Sequence, residues 1–135
     1  MPDKDPTHWL FRLTSEEWLR ASAHELVHAR RAFERKSQRE AVVYCRRGAG
    51  MVVNALLWHR EDERYGRTYM EHLAQLAKDE LVPEAIRLSA ALVLAMPLQG
   101  QLVQLGSKGD PQQAEPAERI WHWVKQRVEA LLQIN

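Results

Sequence analysis

The string "HELVH", His24 to His28, is the part of this chain that most invites a chemical reading. Two imidazoles at i and i+4 share one helical face and could hold a zinc ion, with Glu25 placed as the general base of a zinc hydrolase. The surroundings argue against it. Zinc peptidases of this kind set the motif behind a sheet whose edge strand holds the substrate, whereas only 23 residues precede His24 and none suggests a sheet. The basic "HARRAFER" follows, and no G-x-x-H third-ligand pattern appears. A third ligand would have to come from His59, Glu61 or Glu63 by tertiary contact. The expectation is that His24 and His28 are partly exposed helix residues, with no resident metal and no cofactor.

The second chemical feature is charge. Between Arg30 and Arg47 stand seven basic residues, among them Arg31, Arg35, Arg39, Arg46 and Arg47, against Glu34 and Glu40. This local excess of +5 is hidden in a chain whose net charge is +1. Such a patch could neutralise phosphates and would do so in a salt-sensitive way, which makes these five arginines candidate nucleic-acid or nucleotide contacts. An acidic protein partner is the other occupant such a patch could take. Charges at helix ends also serve solubility and the helix dipole, as Arg35 and Lys36 would.

The elements that must position these groups read as helices throughout. "LTSEEW" is a helix start: Thr14 caps, Glu17 completes a capping box, and Leu13 can staple onto Trp18. Helix one then runs to about Lys36, with Trp18, Leu19, Leu26, Ala29 and Phe33 as its core positions. Helix two spans about Arg39 to His59. "REDERYGR" is a charged connection, after which Tyr69, Leu73, Leu76 and Ala77 mark a short third helix. Pro83 suits the first turn of a fourth, Glu84 to about Met96. A long mobile connection follows Pro97, with one apolar turn at Leu102 to Leu105. Pro116 opens the last helix, whose apolar face is Ile120, Trp121, Val124, Val128, Leu131 and Leu132. Trp123 lies off that face, exposed or at an interface.

No strand-like alternation and no fixed-period repeat occur, so the class is all-α: a single domain, residues 1–135, forming an antiparallel bundle of four to five helices with one long connection before the last. A composition of 45% hydrophobic and 27% charged residues is that of a folded chain, not a disordered one. The lone Cys45 excludes an internal disulfide and a thiolate metal cluster, which fits a reducing cytoplasm. "LSAALVLAMPL" is about half the roughly 20 residues a membrane span needs, and the N-terminus lacks an apolar signal core, so neither membrane nor export is expected.

Helix two carries two glycines and two arginines inside an apolar run. On a helical wheel a broad arc from Tyr44 to Leu56 faces the core, with Gly48 allowing close packing within the bundle. The remaining sector holds Arg39, Arg46, Arg47 and Asn54, threaded by the heptad-spaced line Val43, Gly50 and Leu57. A small residue in the middle of an apolar line invites another backbone, so Val43, Gly50 and Leu57 are the expected contact line of a homodimer.

The segments "WLRASAHELVHARRAF", "REAVVYCRRGAGMVVNALL", "MEHLAQLA", "VPEAIRLSAALV" and "EPAERIWHWVKQRVEALL" in this order resemble the HEPN superfamily, the higher eukaryote and prokaryote nucleotide-binding domains, over about residues 18–132. The resemblance implies a bundle of four or five helices, commonly dimeric, of the kind found in toxin-antitoxin and nucleotidyltransferase-linked systems. Catalytic members are ribonucleases with an Arg-x4-6-His motif near the third long helix and the loop before the last. The matching region, Ser89 to Glu118, has neither arginine nor histidine. Arg67 and His72 have the spacing, in "RTYMEH", but stand just after helix two, where the family does not keep its active site. The expectation is a non-catalytic binding protein, a homodimer with a nucleotide or nucleic-acid partner. The alternatives are a divergent ribonuclease through Arg67 and His72, a hydrolase through the HExxH string, and a purely structural interaction module.

Overall fold

The computed structural model describes residues 7–99 and 110–133, within which the long elements are α1 (Ser15–Glu34), α2 (Gln38–Leu57), α3 (Tyr69–Lys78), α4 (Glu84–Ala95) and α5 (Glu115–Leu132). No strand occurs among the described residues. The apolar turn expected at Leu102–Leu105 lies outside them. Three short 3-10 turns, Trp9–Arg12, Glu63–Tyr65 and Pro111–Ala114, join the set and were not legible as periodic segments. Each is too short to carry a period.

Local chemistry explains the helix ends. Thr14 and Thr68 each accept the N–H of the residue three on, while Glu17 and Glu71 reach back to the cap N–H, so α1 and α3 both open on complete capping boxes. At the end of α1, Lys36 adopts φ 61°, the Ser37 N–H donates to Ala32 O and the Lys36 N–H to Phe33 O. This is a Schellman ending with lysine at the position that favours glycine. It turns the chain so that α2 returns along α1. The antiparallel register follows from cross-links along the pair: the Ser15 hydroxyl donates to Ala55 O, Arg47 pairs with Glu25, and Arg35 pairs with Glu40.

α2 is the hub. Every residue from Gly48 to Ala55 is buried, because α1 covers one side and α3, α4 and α5 the others. Gly48 lies against Leu26 of α1, as expected of a close intra-bundle contact. Gly50 does not face a second subunit. A Cβ there would meet Cβ of Tyr69 and come within 2.7 Å of its Cα and 2.9 Å of its carbonyl oxygen. Leu57, only 5% exposed, is inside as well, which leaves Val43 alone of the expected dimer line on the surface. The arginines beside Gly50 made that sector resemble an open face, but α3 packs over it.

The arginine that looked misplaced in α2 has a structural task. The Arg46 guanidinium donates to Leu94 O at 3.0 Å and Met96 O at 3.1 Å, satisfying carbonyls that the end of α4 leaves without helical partners. Gln38 adds a bond to Pro97 O. Asn54, expected in the outward sector, is also buried, and Leu132, expected on the core face of α5, is 48% exposed.

One apolar stripe is left uncovered among the described residues. On α4, Ala85, Leu88, Leu92 and Ala95 are all exposed, Leu88 to 57% and Leu92 to 52%, and Leu81 just ahead of the helix to 87%. Their spacing of alternating threes and fours keeps them on one side of the helix.

The Gly50 contact makes a quantitative expectation. Alanine would gain about 1 kcal/mol of helix propensity, but its methyl must displace the backbone of α3, and overpacking of that kind costs about 1–3 kcal/mol or more. Gly50→Ala is therefore expected to lower stability in urea unfolding, and to do so by more than Gly48→Ala, whose methyl meets the movable end of Leu26.

Candidate functional site

The two histidines of the HExxH string lie on the exposed side of α1, as the sequence led one to expect. His28 stacks on Tyr44 of α2, ring centroids 5.3 Å apart and planes inclined by 27°. Glu25 is turned away from any metal role: one carboxylate oxygen pairs with Arg47 at 3.1 Å, and the other is buried without a hydrogen-bond partner. Among the described residues no group of three or more His, Cys, Asp or Glu is gathered to hold a metal ion, so the pair has no third ligand there.

Arg67 and His72 part company. Arg67 is exposed and lines a polar hollow of about 280 Å³ with His8, Trp9 and the acidic run Glu61–Glu63. His72 is fully buried, with Trp9 and Tyr69 beside its ring. Its Nδ1 lies 2.6 Å from Tyr65 O, which can only accept, so Nδ1 carries the proton. Nε2 lies 2.8 Å from Oδ1 of Asn54, itself buried. Burial holds the imidazole below its ordinary pKa, outweighing the Tyr65 carbonyl and Glu71, which pull the other way. A neutral ring donating from Nδ1 has only a lone pair at Nε2, so the Asn54 amide must present its nitrogen there, an end-for-end choice its shape permits. No lone pair of His72 reaches solvent.

The five candidate arginines of the basic segment divide by use. Arg46 is consumed in holding the end of α4. Arg35 pairs with Glu40 at 3.3 Å, and Arg47, besides Glu25, stands over the Tyr44 ring at 5.9 Å. Arg35 and Glu40 are both about half exposed, so that pair is weakly held and can exchange partners, whereas the Glu25 that Arg47 meets is only 16% exposed. Arg31 and Arg39 are exposed and have no ion-pair or hydrogen-bond partner for their guanidinium groups among the described residues. Arg30 is held bidentately by Glu118 of α5, at 2.6 Å for the longer bond. An open groove beside Tyr44, lined also by Ser37, Arg39, Val43 and Arg47, completes this face.

A second site was not foreseen. At the opposite end of α2, a cleft of about 310 Å³ opens between the ends of α2 and α3, the turn into α4, and α5. Leu56, Leu57, Leu76, Val82 and Trp123 form much of its apolar wall, and Arg60, Arg64 and Arg127 stand on it with Asp62 and Asp79. The two carboxylates are already engaged. Arg64 holds Asp62 through bonds of 2.7 and 3.0 Å, which keeps that carboxyl below its usual pKa. Asp79 accepts the Tyr65 hydroxyl at 2.6 Å and the Leu81 N–H at 3.0 Å. Burial, then the bond to Asp79, raises the Tyr65 phenol well above its ordinary pKa, so it remains a donor. The signal in sequence was faint: "REDERYGR" looked like a solvated connection, yet its Tyr65 is buried.

The His72 geometry sets a pH dependence. A histidine whose folded pKa lies below its unfolded value of about 6.5 leaves the unfolded chain binding more protons once the pH falls under that value. Its contribution is complete above about pH 6.5 and is lost as the pH falls toward the folded pKa. The urea midpoint should drop between pH 6.5 and 5, and His72→Gln should flatten that segment of the pH profile even if it lowers stability throughout.

No family model matches this chain, and neither a curated protein nor a solved structure matches it.

Proposed function

We propose that this protein works by binding and performs no chemistry of its own: a HEPN-like helical bundle, acting as a homodimer, that receives a phosphate-bearing partner on the basic face of α1 and α2. The partner is a single-stranded nucleic acid or a nucleotide. One observation carries the reading. Arg31 and Arg39 keep exposed guanidinium groups without acidic partners among the described residues, one turn from His28 and five residues before Tyr44, so free charge stands close to the exposed His28 ring stacked on the half-buried Tyr44. Cations that track a backbone beside flat rings on which bases can stack are what single-stranded nucleic acid requires. Arg35, in a weak surface pair with Glu40, supplies a further contact by exchange.

Several features support a binding role over a catalytic one. Glu25 is paired with Arg47, and His72 is sealed beneath Trp9. The stretch from Ser89 to Glu118 holds no arginine or histidine. The order of a long helix pair, a short helix, a fourth helix and a closing one after a connection is what the HEPN resemblance implies. A reducing cytoplasm suits Cys45, whose fully buried thiol is pushed up to about 12 by burial and so stays protonated and unreactive. No helix among the described residues is long and apolar enough to cross a membrane.

The pairing surface in this proposal is the outer stripe of α4. Ala85, Leu88, Leu92 and Ala95 read Ala-Leu-Leu-Ala at spacings of three, four and three from either end. Two copies laid antiparallel about a two-fold axis between Leu88 and Leu92 therefore set leucine against leucine, with alanines closing both ends. Self-complementarity of this kind is what an isologous dimer needs.

Two measurements test the proposal. Fluorescence anisotropy with a labelled single-stranded RNA should show binding that weakens with salt, and Arg31→Gln with Arg39→Gln should reduce the log–log salt slope by roughly 1.4, two lost contacts at ~0.7 each. Binding that survives both changes undiminished, or no binding at low salt, overturns the basic-face reading. Light scattering coupled to size exclusion should give a dimer for the wild type and a monomer of unchanged helicity for Leu88→Glu with Leu92→Glu. A wild type that stays monomeric at high concentration removes the dimer.

A further inference from the structure

The cleft at the far end of α2 combines three properties seldom found together on a surface left to water. Its volume, about 310 Å³, lies at the small end of the range of small-molecule sites, roughly 300–1,000 Å³. The wall is largely apolar and drawn from separate segments, with Leu56 and Leu57 from α2, Leu76 from α3, Val82 from the turn, and Trp123 from α5. Its polar groups are unevenly satisfied. Asp62 and Asp79 are bound by Arg64, the Tyr65 hydroxyl and the Leu81 N–H, whereas Arg60 and Arg127 have no acceptor for their guanidinium groups among the described residues. The indole N–H of Trp123 has none either, in contrast to Trp18 and Trp121, which donate to Leu10 O and to Leu19 O with the Ser22 hydroxyl.

Charge selects among anions. Three arginines and two aspartates leave the lining at +1: Arg64 alone faces both Asp62 and Asp79, and Arg60 and Arg127 are left without a partner among the described residues. A monoanion balances it, while a dianion would bring excess negative charge close to Asp62 and Asp79. Apolar surface left in water is costly at about 25 cal/mol per Å², so an occupant with an apolar body gains from the wall what a bare ion cannot.

We infer that this cleft is a binding site for a small amphipathic monocarboxylate, whose apolar body lies among Leu56, Val82 and Trp123 and whose carboxylate is received by Arg60 and Arg127. Two guanidinium groups offer the forked donors that a carboxylate accepts. The site stands apart from the basic face of α1 and α2, and neither proposal depends on the other.

Titration calorimetry with octanoate tests it, with three comparison probes: octanol, which keeps the tail and lacks the charge; acetate, which keeps the charge and lacks the tail; and octyl phosphate, a dianion near pH 7.5. Octanoate should bind at one site per chain and more tightly than all three. Arg60→Gln and Arg127→Gln should each weaken it about tenfold, as expected when a hydrogen bond to a charged group is lost. Lys125→Gln, exposed on α5 and outside the cleft, should leave it unchanged. Both arginines are exposed and make no structural bond, so circular dichroism should be the same for all variants. Absence of octanoate binding overturns the proposal. So does octanol binding as tightly as octanoate, acetate matching it as an adventitious ion only, octyl phosphate binding more tightly, or affinity that survives the loss of both arginines.

Discussion

The close approach of α3 to α2 at Gly50 is the contact on which the rest of the arrangement turns. With no side chain at position 50, the backbone of Tyr69 lies where a Cβ would otherwise stand. This seats α3 flat on the hub helix, and one turn further along α3 His72 then reaches Asn54. The preceding connection is drawn in with it, because His72 also holds the carbonyl of Tyr65. Tyr65 in turn delivers its hydroxyl to Asp79 at the far end of α3. A chain of buried polar contacts thus runs from the hub helix to one wall of the cleft, and each link is satisfied. Satisfaction matters, since a buried group left unpaired costs about 1–3 kcal/mol. One missing methyl group positions a helix, and the helix positions the network.

Arginine serves this protein in three physical settings, which explains why a chain of small net charge has so many. Inside the bundle, Arg46 meets helix-end carbonyls, where a cation faces the negative pole of the α4 dipole. Between helices, Arg30 takes Glu118 in a two-pronged bond that ties α1 to α5. At the surface, Arg35 sits in a solvent-screened pair worth little, while the guanidinium groups of Arg31, Arg39, Arg60 and Arg127 have no partner among the described residues. Those of Arg31 and Arg39 lie toward the start of α2, and those of Arg60 and Arg127 toward its end. One set borders the stacked rings of His28 and Tyr44, and the other borders an apolar cleft. An extended basic face suits a polyanion, and a walled cleft suits a small ligand with a body to bury.

The HExxH string shows how a motif can be geometrically sound and still have no coordination sphere gathered around it among the described residues. Two histidines one turn apart do share a face, as the helical repeat requires. What the string cannot supply is the remainder of a coordination sphere, which must come from other elements. Here the neighbouring helix contributes Tyr44 and Arg47, a ring and a cation, and the would-be base Glu25 is taken by that cation.

By itself the sequence determined the elements and their order. Thr14, Thr68 and Pro83, with their neighbours, set helix starts through bonds and dihedral limits spanning only a few residues, and the apolar spacings of α1, α3 and α5 marked most of the inward faces. Such information is local, written within a few residues of each helix end or along one helix face. Tertiary structure decided which surfaces were left over. Gly50, Leu57 and Asn54 carried no local mark of burial, since a sector bordered by arginines looks solvated until α3 is laid across it. The uncovered apolar stripe therefore belongs to α4 instead of α2, because from Gly48 to Ala55 α2 has neighbours on every side. The cleft was illegible for the same reason: its walls come from Leu56, Leu76, Val82 and Trp123, which are far apart in the chain and have no periodic relation. Their common property, facing one small volume, exists only once five helices have packed.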